Sequence, residues 1–219
     1  MKLSVIAAAA ALAAGLHAPS ASAQALPIVG GVTSVTLTSA PTLASVGLSV
    51  GTLGSAQFSP GSAGIPLVYF PITGGSQNTA TFAGSIQHAG SGLSLSSGGT
   101  TLNLTNFVID TTALTLTGQA ATGGTSLGAV PLFNLSFGSN PVSPFNLALT
   151  STAAGALTTL FGLPNLTGFT LGTANTIPIT SAVPEPATYA AMLAGLAMIS
   201  LVLARRRQQA SERLPAAAH

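Results

Sequence analysis

From Val32 to Ile179 apolar side chains recur at every second position against Thr, Ser and Asn, and this period of two decides the fold class. It runs through Val35 and Leu37, Leu93 and Leu95, Leu102 and Leu104, Leu114 and Leu116, Phe133, Leu135 and Phe137, and Leu147 and Leu149. Successive side chains of a strand point to opposite faces, so each run reads as a strand buried on one side. Leu93 to Ser97 and Thr100 to Leu104 flank Gly98-Gly99, a pair that accepts positive φ and predicts a tight hairpin. Gly30-Gly31, Gly74-Gly75 and Gly123-Gly124 are expected to punctuate the chain in the same way. One modest helix is predicted over 152–161. Short strands with frequent Gly and Pro breaks predict an all-β ectodomain over 24–182, an antiparallel β-sandwich or a barrel.

The chain is 47% hydrophobic and only 4% charged, against roughly 25% charged in an ordinary globular protein. Disordered chains combine low hydrophobicity with high net charge, so this body is expected to fold around a core. Its charges lie at the ends: Lys2 in front, Glu185, Arg205, Arg206, Arg207, Glu212 and Arg213 behind, with Asp110 alone between. The pI of about 9.7 therefore describes the termini and implies no nucleic-acid partner. Cysteine is absent, which excludes disulfides, thiolate metal sites and cysteine nucleophiles. A surface so poor in Lys lacks the usual protection of edge strands, and self-association or embedding in a matrix is expected.

The two ends carry the address. Lys2, the apolar run Leu3 to Leu16 and the small residues Ala21 and Ala23 read as a signal peptide over 1–23, taken up by the Sec translocon and cut by signal peptidase after Ala23. At the other end Val183-Pro184-Glu185-Pro186 is a stiff extended junction, since each Pro fixes its own φ and keeps the preceding residue out of the helical region. Ala187 to Ala204 follows without a charge, at the short end of the roughly 17–25 residues that cross a bilayer, and predicts one C-terminal transmembrane helix. Arg205, Arg206 and Arg207 are the expected membrane stop, holding that end in the cytoplasm with residues 208–219 as a cytoplasmic tail.

Val183-Pro184-Glu185-Pro186-Ala187-Thr188-Tyr189, Met192 to Leu196 and the arginine cluster together resemble the PEP-CTERM sorting signal of exopolysaccharide-producing Gram-negative bacteria. The resemblance covers 183–207 and the leader. It implies that the tripeptide Pro184, Glu185 and Pro186 is read by an exosortase, a membrane-embedded cysteine transpeptidase-like enzyme that removes the helix. The implied route is export, an inner-membrane intermediate, then the cell surface or a biofilm matrix with exopolysaccharide as a partner. The tail Gln208 to His219 departs from the family, whose members end within a few residues of the arginines.

Chemistry in the body would have to come from Asp110, His88, Tyr69 and hydroxyls, too few titratable groups for an ordinary active site, and no catalytic residue is assigned. Gly47 to Gly51 and Gly124 to Gly128 fit G-x-S-x-G around Ser49 and Ser126, a pattern frequent by chance in a Gly- and Ser-rich chain. The order His88, Asp110, Ser126 would suit a triad only if the three met in space. Asp110 is expected to cap its own turn, and His88, beside Gly90, to lie in a surface loop. One carboxylate and one imidazole make neither a zinc nor a calcium site, so no metal and no cofactor is assigned. Asn103, Asn134 and Asn165 begin N-x-S/T sequons, and 163–168 resembles a sortase signal with an extra Leu. Phe82 to Leu95 with Leu102 to Asp110 resembles HtaA-like haem-binding β domains, which implies Tyr69 or His88 as an axial ligand. The expectation is thus a non-enzymatic structural surface protein sorted by exosortase, with a ligand-binding β domain, haem the named case, or a serine hydrolase as alternatives.

Overall fold

The computed structural model describes residues 24–61, 64–140, 142–181 and 186–212. The expected signal peptide with Ala21 and Ala23, the junction residues Pro184 and Glu185, and the tail from Arg213 onward lie outside them. Ala23–Ser181 forms one compact unit, and the C-terminal helix belongs to another.

Among the described residues the first unit is built from eleven strands: β1 (Ala25–Thr36), β2 (Ser49–Gly54), β3 (Gln57–Ser59), β4 (Leu67–Pro71), β5 (Gly74–Asn78), β6 (Gly84–Ser97), β7 (Thr100–Asp110), β8 (Thr115–Thr122), β9 (Thr125–Phe137), β10 (Phe145–Leu149) and β11 (Thr170–Thr180). Two helices interrupt them, α1 (Ala40–Ser45) and α2 (Ser151–Phe161). All the pairings are antiparallel. The sheet runs from β11 through β10, β9, β8, β7, β6 and β5 to β1, and β1 pairs back onto β11, so the ring closes. Closure removes most of the free edges that the sequence led one to expect. Among the described residues β2, beside β6, and β4 with the three-residue β3, beside β1, lie off that ring, which limits edge-to-edge self-association.

The Gly98-Gly99 hairpin forms as expected, with φ of +57° and +83° joining β6 to β7, and Gly123-Gly124 joins β8 to β9 in the same way. Gly30-Gly31 and Gly74-Gly75 do not punctuate: the first pair lies inside β1 and the second opens β5. The helix predicted at 152–161 is α2, opened by Thr150, whose Oγ1 accepts from the Ala153 N–H, and closed by Gly162 in the left-handed conformation. Alternation places Val35, Leu37, Leu93, Leu102, Leu104, Leu116, Phe133, Leu135, Leu147 and Leu149 in one core with Ala153 and Leu157 of α2. Two expected strand positions differ. Leu114 turns the chain with φ of +54°, and Phe137, at the end of β9, is 70% exposed.

The ring is uneven where β1 and β6 change partners. Val32 opposite Pro71 and Pro27 opposite Ser76 share one register, so β4 and β5 are two halves of one interrupted strand along β1. The β5 half also pairs with β6, through Gly74 and Gln87, whereas the β4 half turns to β3 and the rest of β6 pairs with β2. Each change comes with a bulge, between Ile28 and Gly30 in β1 and between His88 and Gly92 in β6.

The C-terminal helix α3 (Pro186–Glu212) stands as its own element. Met192, Leu193, Leu196, Met198, Ile199, Leu201, Val202 and Leu203 are all exposed, so α3 is apolar on every face. Among the described residues no helix is long and apolar enough to cross a membrane; the side chains of α3 are described at 191–203, Arg205 and Arg206.

Candidate functional site

His88 continues the alternation of β6, two residues after the buried Ile86, and so points into the interior just before the bulge instead of lying in a loop. Ala89 and Gly90 bulge outward, the Ala89 N–H donating to Thr73 Oγ1 at 2.8 Å and the Gly90 N–H to Asn106 Oδ1 at 2.9 Å, while the buried Ser91 donates its Oγ hydroxyl to His88 O at 3.1 Å. His88 is left 1% exposed between β1 and β7, a correction to the surface-loop expectation. Its surroundings are aromatic, with Phe70 edge-on at 6.4 Å between ring centroids and Phe107 edge-on to Phe70. Beside them lies a void of about 30 Å³ lined by Val35, Leu93, Phe133 and Leu147, room for a water molecule but not for a macrocycle.

Both ring nitrogens of His88 are engaged. Nδ1 lies 3.3 Å from the Phe107 carbonyl oxygen and Nε2 lies 2.7 Å from Thr33 Oγ1. A carbonyl can only accept, so Nδ1 carries the proton and the Thr33 hydroxyl donates to Nε2. Burial opposes the charged ring and pushes the pKa of His88 down to about 4, the bond to Phe107 offsetting only part of this. The imidazole is therefore neutral at pH 7 and ties β1 to β6 where the two strands change partners.

The other sequence-derived residues lie apart from it. Tyr69, half-buried on β4, alternates with the buried Val68 and Phe70 and so points away from the face that holds His88. Asp110 ends β7 and caps its own turn, as expected, its Oδ1 accepting from the Thr112 and Ala113 N–H groups at 2.8 Å each. Ser126 lies within β9 with its Oγ accepting from the Gly128 N–H, and Ser49 opens β2 with its Oγ donating to Ser96 O. Neither serine occupies the strand-turn-helix elbow that its motif requires. Asn165 Oδ1 accepts from the N–H and hydroxyl of Thr167, closing a turn. Among the described residues no three His, Asp or Glu side chains group as a metal site.

In the C-terminal segment the backbone of Pro186 opens α3, and Arg205, Arg206 and Arg207 lie within it after the apolar stretch. The first two arginines are exposed.

Against curated proteins the chain has no match. Among solved structures it is similar to the crystal structure of the C-terminal domain of HtaA from Corynebacterium glutamicum, at 14% identity and a TM-score of 0.50, over 68% of this chain and 95% of that one. At that identity the likeness is one of fold. The family comparison falls on the other unit, where the model of the PEP-CTERM protein-sorting motif matches residues 182–207. Export, a membrane-anchored sorting intermediate and processing by exosortase are what such a motif implies. The chain thus carries a PEP-CTERM protein-sorting motif at its C-terminal end.

Proposed function

We propose that the chain is a non-enzymatic structural protein of the cell surface or extracellular matrix, delivered there as an exosortase substrate. The observation that carries this reading is the match at 182–207 immediately after a self-contained β domain. The Sec translocon and signal peptidase remove 1–23 after Ala23. Ala187 to Ala204 then crosses the inner membrane, and Arg205, Arg206 and Arg207 stop it there, because guanidinium groups do not pass the hydrocarbon core. Exosortase acts at Pro184, Glu185 and Pro186, and the released β domain joins the matrix, with exopolysaccharide as its partner. A neutral domain with most of its strand edges paired suits long residence outside the cell, where neither charge repulsion nor edge pairing disturbs it.

The test is the intact mass of the protein shed from cells that express it with an exosortase. It is expected to begin at Gln24 and to lack Ala187 to Arg207, and Glu185→Ala is expected to leave the protein in the membrane fraction. Shed protein that retains the helix would overturn the proposal.

The ligand-binding alternative, with haem as the named case, draws on the fold likeness, and the catalytic one on Ser126 or Ser49. Haem ligation by His88 would require the ring to leave both Thr33 and Phe107 and would expose a core that is now closed. Haemin titrated into the full chain is accordingly expected to give no His-ligated Soret band. A band that is present in the protein and lost in His88→Ala would establish the haem reading instead.

A further inference from the structure

The β domain carries a surface groove of about 540 Å³, within the roughly 300–1,000 Å³ of ordinary ligand sites, that neither sorting nor the buried histidine uses. Two of its walls are phenylalanines held in water: Phe137 at 70% exposure and Phe82 at 66%. Neither ring is adrift. Phe137 packs on the buried Phe145 beneath it, ring centroids 5.3 Å apart and tilted by 38°, which fixes its outer face as a platform. Phe82 adopts φ of +59°, a left-handed conformation that costs a bulky residue about 1–2 kcal/mol and that Gly would take freely.

The loop is latched to keep Phe82 there. Its N–H donates to Asn78 O at 2.7 Å, and its carbonyl accepts from Thr111 Oγ1 at 2.6 Å and Gln77 Nε2 at 3.2 Å. Strain that the surroundings hold in place around an exposed side chain points to a use for that side chain.

The rest of the described lining carries no charge: Pro144, Ile177 and Pro178 add apolar surface, and Thr79, Thr81, Thr111, Thr176 and Thr180 stand beside the buried Gln77. Among the described residues Thr176 Oγ1 is the one buried side-chain polar atom that lacks a hydrogen-bond partner, and its residue lies in the wall of this groove. Aromatic platforms beside neutral donors and acceptors match the two surfaces of a sugar ring, its C–H face and its hydroxyl rim. Among the described lining residues an anionic ligand would meet no cation, and a cationic one no carboxylate.

We propose that this groove binds a neutral glycan. The proposal names the site through which the matrix partner is held, and it rests on the matrix reading only for the presence of glycan outside the cell; binding itself is measured without export.

The full chain in mild detergent is run on native gels containing dextran, galactomannan, hydroxyethylcellulose or polygalacturonate. Retardation is expected with at least one neutral polymer and not with polygalacturonate. Phe137→Ala and Phe82→Gly are each expected to weaken it about tenfold. Phe82→Gly relieves the backbone strain, so its loss of binding cannot be laid to misfolding, and Phe58→Ala, at an exposed ring on β3 outside the groove, is expected to bind as the parent does. The proposal is overturned if no neutral polymer retards the chain, if polygalacturonate does so equally, or if both groove variants bind unchanged. A parent that is dimeric and becomes monomeric on Phe137→Ala would assign the groove to a second copy of the chain instead.

Discussion

Acidification from pH 7 to pH 4 is expected to cost the β domain about 3 kcal/mol through His88 alone. The unfolded chain takes up a proton on this histidine near pH 6.5, whereas the folded chain does so only near pH 4, because the buried ring cannot be charged without losing the Thr33 donor and the apolar walls around it. Between these values the unfolded state binds more protons, so stability falls as the pH falls. The contribution is complete above about pH 6.5, declines through the window, and changes no further below about pH 4. The groups that face the ring are Thr33, Phe70, Phe107, Val35 and Leu93, none of which titrates in this range.

Urea unfolding followed by far-ultraviolet circular dichroism, repeated from pH 7 to pH 4, gives the slope. In the double variant Thr33→Val, His88→Leu both polar partners are replaced together, the midpoint at pH 7 is expected to hold within about 1–2 kcal/mol, and this part of the slope is expected to vanish. The difference between the two proteins isolates the histidine. Equal slopes would show that the ring is accessible to water and that the bond to Thr33 does not pin β1 to β6.

How far such features can be read ahead of the structure depends on the range of the forces that make them. The hairpin at Gly98-Gly99 and the helix α2 were legible because their causes are local: two glycines with positive φ, and a Thr cap with a Gly stop within one short segment. The sorting segment was legible for the same reason, being a run of hydropathy bounded by prolines and arginines. Ring closure was not, since a period of two tells which face of β1 and β11 is apolar but not that the two strands meet. The loop expectation for His88 came from the loop-like composition of its neighbours Gly90 and Ser91, whereas the residue continues the alternation of Ile86 into the core and its partner Thr33 lies far off in the sequence. Phe137 continues the alternation of β9 correctly, but the strand outruns the core there, and the ring comes to rest on Phe145 in water. The groove was invisible in the sequence because it is assembled from one latched loop and the ends of β9 and β11.

Gly30→Ala and Gly31→Ala, adjacent changes of a single methyl group, are expected to differ by at least about 2 kcal/mol. A Cβ on Gly30 meets nothing within 4 Å, and its φ lies outside the left-handed range, so alanine there should shift stability by less than about 0.5 kcal/mol. At Gly31 φ is +124° and a Cβ would stand 2.2 Å from the carbonyl oxygen of Ile177, a backbone atom that cannot swing aside. Ile177 belongs to β11, opposite Val32, so relief of that clash must spread β1 from β11. This is the seam at which the ring closes. The expected cost therefore combines the backbone strain of an alanine at positive φ, about 1–3 kcal/mol, with weakened pairing from Ile28 to Thr36. Gly172, in β11, makes the same demand from the other strand, where a Cβ would stand 2.0 Å from Thr36 O, so Gly172→Ala is expected to follow Gly31→Ala rather than Gly30→Ala. Urea midpoints order the three variants, and hydrogen exchange of the β1 and β11 amides locates the damage. Loss of protection confined to those two strands is the result that closure at this seam requires, whereas equal midpoints for Gly30→Ala and Gly31→Ala would mean that the seam yields freely and that the closed ring is not what holds the domain together.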